Sequence, residues 1–165
     1  MAQRGVGVLR VSPSGGVPET LVTLKDSEVV NTAQVLPGGT HVLLSISEAI
    51  GEDRWDRADV VVQALGTEDR TVLVKGASAA RSLPTGHLLY ARAGNVYAVP
   101  FDVRSLQVGA GAATPVVQAV RRGGRQSGIP HVSVSVPGAF RREREPGVDA
   151  DVVLFVYESY TNHAR

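Results

Sequence analysis

The stretch Ala33-Gln34-Val35-Leu36-Pro37-Gly38-Gly39-Thr40-His41-Val42-Leu43-Leu44 returns later as Ala80-Arg81-Ser82-Leu83-Pro84-Thr85-Gly86-His87-Leu88-Leu89-Tyr90. In each copy a short run ends at a Leu-Pro-x-Gly turn, and a second apolar run opens on a histidine. Proline presets φ at the second position of a turn and glycine accepts a left-handed backbone, so the segment reads as a tight reversal between two strands. Leu83 follows Leu36 by 83 − 36 = 47 residues, near the ~40–45 of a four-stranded propeller repeat.

The second halves of the two units also correspond. Ala58–Leu65 followed by Arg70–Val74 parallels Asn95–Phe101 followed by Thr114–Val117. Upstream, Gly7–Ser12 and Pro18–Val22 read as the second half of an earlier unit. Downstream, His131–Gly138 reads as the opening of a later one, and Asp151–Val156 is similar to Asp59–Ala64 beyond the charged loop Arg141–Glu145. The units are therefore expected at 1–32 (partial), 33–79, 80–127 and 128–165 (partial or degenerate), in one continuous domain.

Eighteen glycines and nine prolines divide the chain into short, valine-rich apolar runs, which suit pleated, half-buried strands. Helical periodicity is nearly absent. Strands are predicted at Gly7–Ser12, Glu19–Leu24, Ala33–Leu36, His41–Ser47, Ala58–Leu65, Arg70–Lys75, Ala80–Leu83, His87–Arg92, Asn95–Phe101, Thr114–Gln118, His131–Val136 and Asp151–Tyr157. Tight turns between them predict an antiparallel meander.

The series Gly7–Gly16 with Pro18-Glu19, the Leu36–Gly39 turn and Tyr90–Asp102 resembles the repeats of TolB-like, WD-repeat-like bacterial β-propellers, including the propeller part of some bacterial serine/threonine protein kinases. The resemblance covers roughly residues 5–120. It implies an all-β fold of antiparallel four-stranded blades, an incomplete β-propeller of two full units plus two partial ones. It also implies a non-catalytic interaction or ligand-sensing module, periplasmic or extracytoplasmic in a longer parent. Kinase activity does not carry over, because the sequence holds no Gly-rich phosphate loop, His-Arg-Asp or Asp-Phe-Gly element. A closed propeller takes about four to eight blades. The chain is thus expected to be a fragment, or to cover its exposed blade edges by self-association or with a protein partner.

The 165 residues carry a formal net charge of +1, which gives no field for a nucleic acid or an anionic membrane. Without cysteine there is no disulfide, thiolate metal site or thiol nucleophile. Met1–Gly7 lacks the apolar core of a secretory signal, and no apolar run reaches the ~18 residues of a membrane helix. Neither a cofactor nor membrane insertion is expected.

Candidate site residues are few. His41 and His87 enter strands at matching places, but nothing at ligand spacing makes them a metal pair. Glu48, Glu52, Asp53, Asp56 and Asp59 surround Arg54-Trp55-Asp56-Arg57 without the Asp-x-Asp-x-Asp-Gly order of a calcium loop. Paired carboxylates there give the alternative reading, a hydrolase or lyase acting on sugar or peptide at a propeller rim. Trp55 and Arg54 are the candidate binding residues, because aromatic and Arg side chains dominate contact hot spots when exposed. Ser12, Ser14, Ser45, Ser47, Ser133 and Ser135 lie in no Gly-x-Ser-x-Gly elbow. Gly5/Gly7 and Gly109/Gly111 precede no helix signal, and the basic clusters Arg121–Arg125 and Arg141–Arg144 lack interleaved aromatics.

Overall fold

The computed structural model describes residues 7–12, 14–51, 53–118 and, in their backbone, 153–156. The strands expected at His131–Val136, the basic clusters, Glu52 and the first six residues lie outside the described residues. The described chain is all-β, with antiparallel sheets and one short 3₁₀ turn at Arg54–Asp56.

The central sheet is the meander β3 (Val29–Val35), β4 (His41–Ser47), β5 (Asp59–Ala64) and β6 (Arg70–Lys75). A second meander follows: β7 (Ser78–Leu83), β8 (His87–Arg92) and β9 (Asn95–Asp102), with β10 (Gln107–Val108) and β11 (Thr114–Val117) both pairing β9. Because β8 occupies one edge of β9, β10 and β11 share the other. They are successive pieces of one outer strand, interrupted around 109–113. The third sheet joins distant parts of the chain: β12 (Val153–Val156) pairs β1 (Val8–Val11), which pairs β2 (Glu19–Val22).

The duplicated turns occupy like places. Each links the first and second strands of its meander, closed by Gly39 N–H to Leu36 O in one and Gly86 N–H to Leu83 O in the other. Gly38 holds φ +94, the third-position geometry of a type II turn. In the second copy Thr85 keeps a negative φ, and the left-handed residue is Gly86 at +76.

The register shows a further repeat. In each sheet the pairing of third and fourth strands slips by one residue: Leu21 is extra between Val8↔Val22 and Leu9↔Thr20, Leu73 between Val60↔Val74 and Val61↔Val72, and Val116 between Val96↔Val117 and Tyr97↔Pro115. Such bulges bend an outer strand and blunt it against further pairing. First strands are bulged too, at Asn31 in β3 and at Ala79-Ala80 in β7. By this register β12 takes the position against β1 that β4 takes against β5 (Leu9↔Phe155, Val61↔Leu44). Val153–Val156 thus corresponds to Val42–Ser45, not to the third strand its similarity to Asp59–Ala64 suggests.

Alternation along β4 and β5 sorts side chains onto two apolar faces. Val42, Leu44, Ile46 and Val61 pack with Val8 and Val22 of the composite sheet. Leu43, Val60 and Val62 pack with Ala80, Leu88, Tyr90, Val99 and Phe101 of the second meander. A sheet buried on both faces needs near-continuous apolar strands, which explains Val42-Leu43-Leu44 and Val60-Val61-Val62. The three sheets form a layered stack with the β3–β6 sheet in the middle.

Polar bonds pin the first strands of neighbouring sheets together. Gln34 Nε2 donates to Ser82 O (3.0 Å), while Gln34 Oε1 accepts from Ser82 N–H (2.8 Å). Buried Ser45 Oγ accepts from Thr32 Oγ1 (2.9 Å) and from Ala80 N–H (3.1 Å). Glu28, before β3, meets Arg70 of β6 at 2.5 Å, and Arg70 Nε donates to Gln63 Oε1 at 2.7 Å. Burial pushes the Glu28 pKa up. The hydrogen bonds from Arg70 and Lys25 N–H, with the positive charge of both residues, outweigh it and hold the carboxyl below its ordinary value.

Candidate contact loop between β4 and β5

The acidic stretch read from the sequence is the loop between β4 and β5, and its geometry is fixed by its own side chains. Ser47, buried at the end of β4, accepts from Ala49 N–H (3.1 Å) and donates to Arg54 O (2.9 Å). Arg57 Nη2 donates to Ile50 O (2.9 Å) and to the Asp53 carboxylate (2.8 Å). Gly51, at φ +111, makes the sharp bend between them. The loop is anchored to the second meander, since Asp56 Oδ1 accepts from Ala93 N–H at 3.2 Å and Ala77 N–H donates to Ala58 O at 2.8 Å. Nearby, Arg92 donates to Lys75 O (2.6 Å) and lies over the Tyr90 ring, which stacks on Tyr97.

Trp55 is 3 % exposed. The exposure that a contact role for its ring requires is not present: the residue is buried. Arg54 is half-buried, with Nε donating to Gly51 O at 3.3 Å. The residue the loop presents is Ile50, 87 % exposed. Sequence reading passed over it in favour of the tryptophan. The available signal was a lone branched apolar residue before glycine in an otherwise charged loop.

The other candidates are dispersed. Asp53 pairs with Arg57, Asp56 with Ala93 N–H, and Asp59 lies opposite Lys75 across β5 and β6. His41 Nδ1 lies 2.9 Å from Thr40 Oγ1, and His87 Nδ1 lies 3.1 Å from Thr85 O, each bound within its own turn. Among the described residues no three His, Asp or Glu side chains gather as a metal site. No described helix is long and apolar enough to cross a membrane. The arrangement offers an ordered, exposed apolar tip framed by compensated charges, which suits contact more than proton transfer.

No protein-family model, curated protein or solved structure matches this chain.

Proposed function

We propose that the chain is a non-catalytic interaction or ligand-sensing module of β-propeller type, similar to the TolB-like repeats of bacterial envelope and signalling proteins. Its blades are the meanders β3–β6 and β7–β11, with a third blade assembled from β12, β1 and β2. The observation that carries this reading is the common register: duplicated turns in like places and a one-residue slip at the same step of three sheets. Repeats of this kind bury each apolar face against the next unit and leave loops at the ends free to vary. The β4–β5 loop, with Ile50 at its tip, is the contact element.

Backbone amide chemical shifts recorded during titration with peptides, glycans and nucleotides test the proposal. Saturable shifts centred on 48–58 and on the Ala93-Gly94 turn, with no product formed, are expected. Turnover of a glycosidic or peptide bond that disappears with Asp53→Asn or Asp56→Asn would replace the module with the hydrolase reading.

A further inference from the structure

The connector between β2 and β3, Thr23–Glu28, leads from the composite sheet to the central one and is held by few groups. Thr23, Lys25, Asp26 and Ser27 are exposed, Leu24 packs on the apolar cluster that those two sheets share, and Glu28 is buried. The connector closes on itself as a turn: Glu28 N–H donates to Lys25 O (2.9 Å), and Lys25 N–H donates to Glu28 Oε2 (3.0 Å). Arg70 fastens that turn to β6. Its Nη1 donates to Glu28 Oε1 at 2.5 Å, its Nη2 to Thr23 O at 3.4 Å, and its Nε to Gln63 Oε1 at 2.7 Å. Gln63 Nε2 donates in turn to Thr67 O (2.7 Å), between β5 and β6. One carboxylate thus ends a polar chain from the connector through β6 to β5, with one oxygen closing the turn and the other meeting β6.

We propose that Glu28 is an acid-released latch: when its carboxylate takes up a proton, Thr23–Glu28 detaches from β6 while both apolar clusters stay packed. The clusters that join the described sheets are built from apolar side chains and hold no carboxylate to titrate. The connector instead meets β6 through a charge-assisted bond, roughly twice as strong as a neutral one. Among the described residues, the charges that act on Glu28 are those of Arg70 from β6 and Lys25 within the connector. Asp26 and Asp69, beside them in the chain, are exposed. Burial disfavours the Glu28 charge, and the bonds and charges of Arg70 and Lys25 outweigh it, so the carboxyl stays ionised until the pH falls below its ordinary 4.5. Arg70 keeps its bond to Gln63 after release, so opening does not strand the guanidinium. The ion pairs Arg10–Glu19 and Arg57–Asp53 also lose their charge in acid, but they lie exposed in β1–β2 and in the β4–β5 loop and contribute little.

Amide hydrogen exchange followed by NMR on the full 165-residue chain, corrected for the intrinsic pH dependence of exchange, tests the latch. Between about pH 6 and about pH 3 the Lys25 and Glu28 amides should lose more than about tenfold of their protection. Leu43 and Val62, Cα partners in the interior strands β4 and β5, should keep theirs. Glu28→Gln should show at about pH 6 the weaker Lys25 protection that the parent shows in acid, with no further fall as the pH drops. Glu19→Gln should respond to acid as the parent does. Protection at Lys25 that is unchanged by acid overturns the proposal. Protection lost at Lys25 in step with Leu43 and Val62 overturns it too, since acid would then unfold the stack as a whole. A Glu28→Gln chain whose Lys25 amide still answers acid as the parent's does has the same force, because another carboxylate would be the trigger.

Discussion

Glu28 is buried beside an arginine that also serves Gln63, and its ionisation is part of what ties the start of β3 to β6 within the central sheet. Its pKa lies below the ordinary 4.5 in the folded chain. The resulting stability is fully present above that ordinary value and is lost as pH falls through the lowered one. Thermal melts from pH 6 downward should show the parent losing its advantage over Glu28→Gln below pH 4.5. Arg70→Met strands a buried carboxylate and should cost about 3 kcal/mol in urea unfolding. Combined with Glu28→Gln it should cost less than the sum of the two changes. Gln34→Ala removes both bonds to Ser82 and leaves that peptide unpaired, a loss of about 1–3 kcal/mol by the same measurement. None of these pairings was legible in the sequence. Nothing local to Glu28 or Arg70, 42 residues apart, announces the other as its partner. Trp55 was legible as the aromatic of a charged loop, and the structure buries it.

Strands were the most legible level. The predicted bounds of β4, β6 and β8 coincide with the structure, because apolar runs there are bracketed by glycine, proline or charge on both sides. The start of β3 was set too late, at Ala33 instead of Val29. The bulge at Asn31 breaks the two-residue alternation that would have extended it. The two-residue β10 carries too little pattern to be seen. Glycine at two positions has a specific reason. Any side chain at Gly38 must adopt φ +94, so Gly38→Ala should lower stability by about 1 kcal/mol, while Thr85→Ala at the equivalent turn position should be near neutral. Gly7 is constrained by packing: a Cβ there would fall 1.6 Å from Val22 O. Gly7→Ala should push β2 from β1 and cost at least about 1–3 kcal/mol, with early hydrogen exchange across Glu19–Val22 as the readout.

At the scale of the molecule, an all-β antiparallel fold followed from valine-rich runs and turn residues, and the repeat spacing followed from the duplicated Leu-Pro-x-Gly segments. The union of β1 with β12 did not. Strand pairing over nearly the whole chain length depends on which strand edges remain open once the meanders have formed, and single-sequence periodicity carries no record of it. That union makes the third sheet among the described residues, and it can be tested in a protein that has no cysteine of its own. Leu9 and Phe155 are Cα partners across the β1–β12 pair. Opposed residues in antiparallel strands lie ~4.5–5.5 Å apart, within disulfide reach. The measurement is mass spectrometry of Leu9→Cys/Phe155→Cys after mild oxidation, under non-reducing denaturing conditions. An intrachain bond in a single 165-residue polypeptide is the predicted result. Free thiols, or a bond formed only between two chains, would contradict the pairing of β1 with β12.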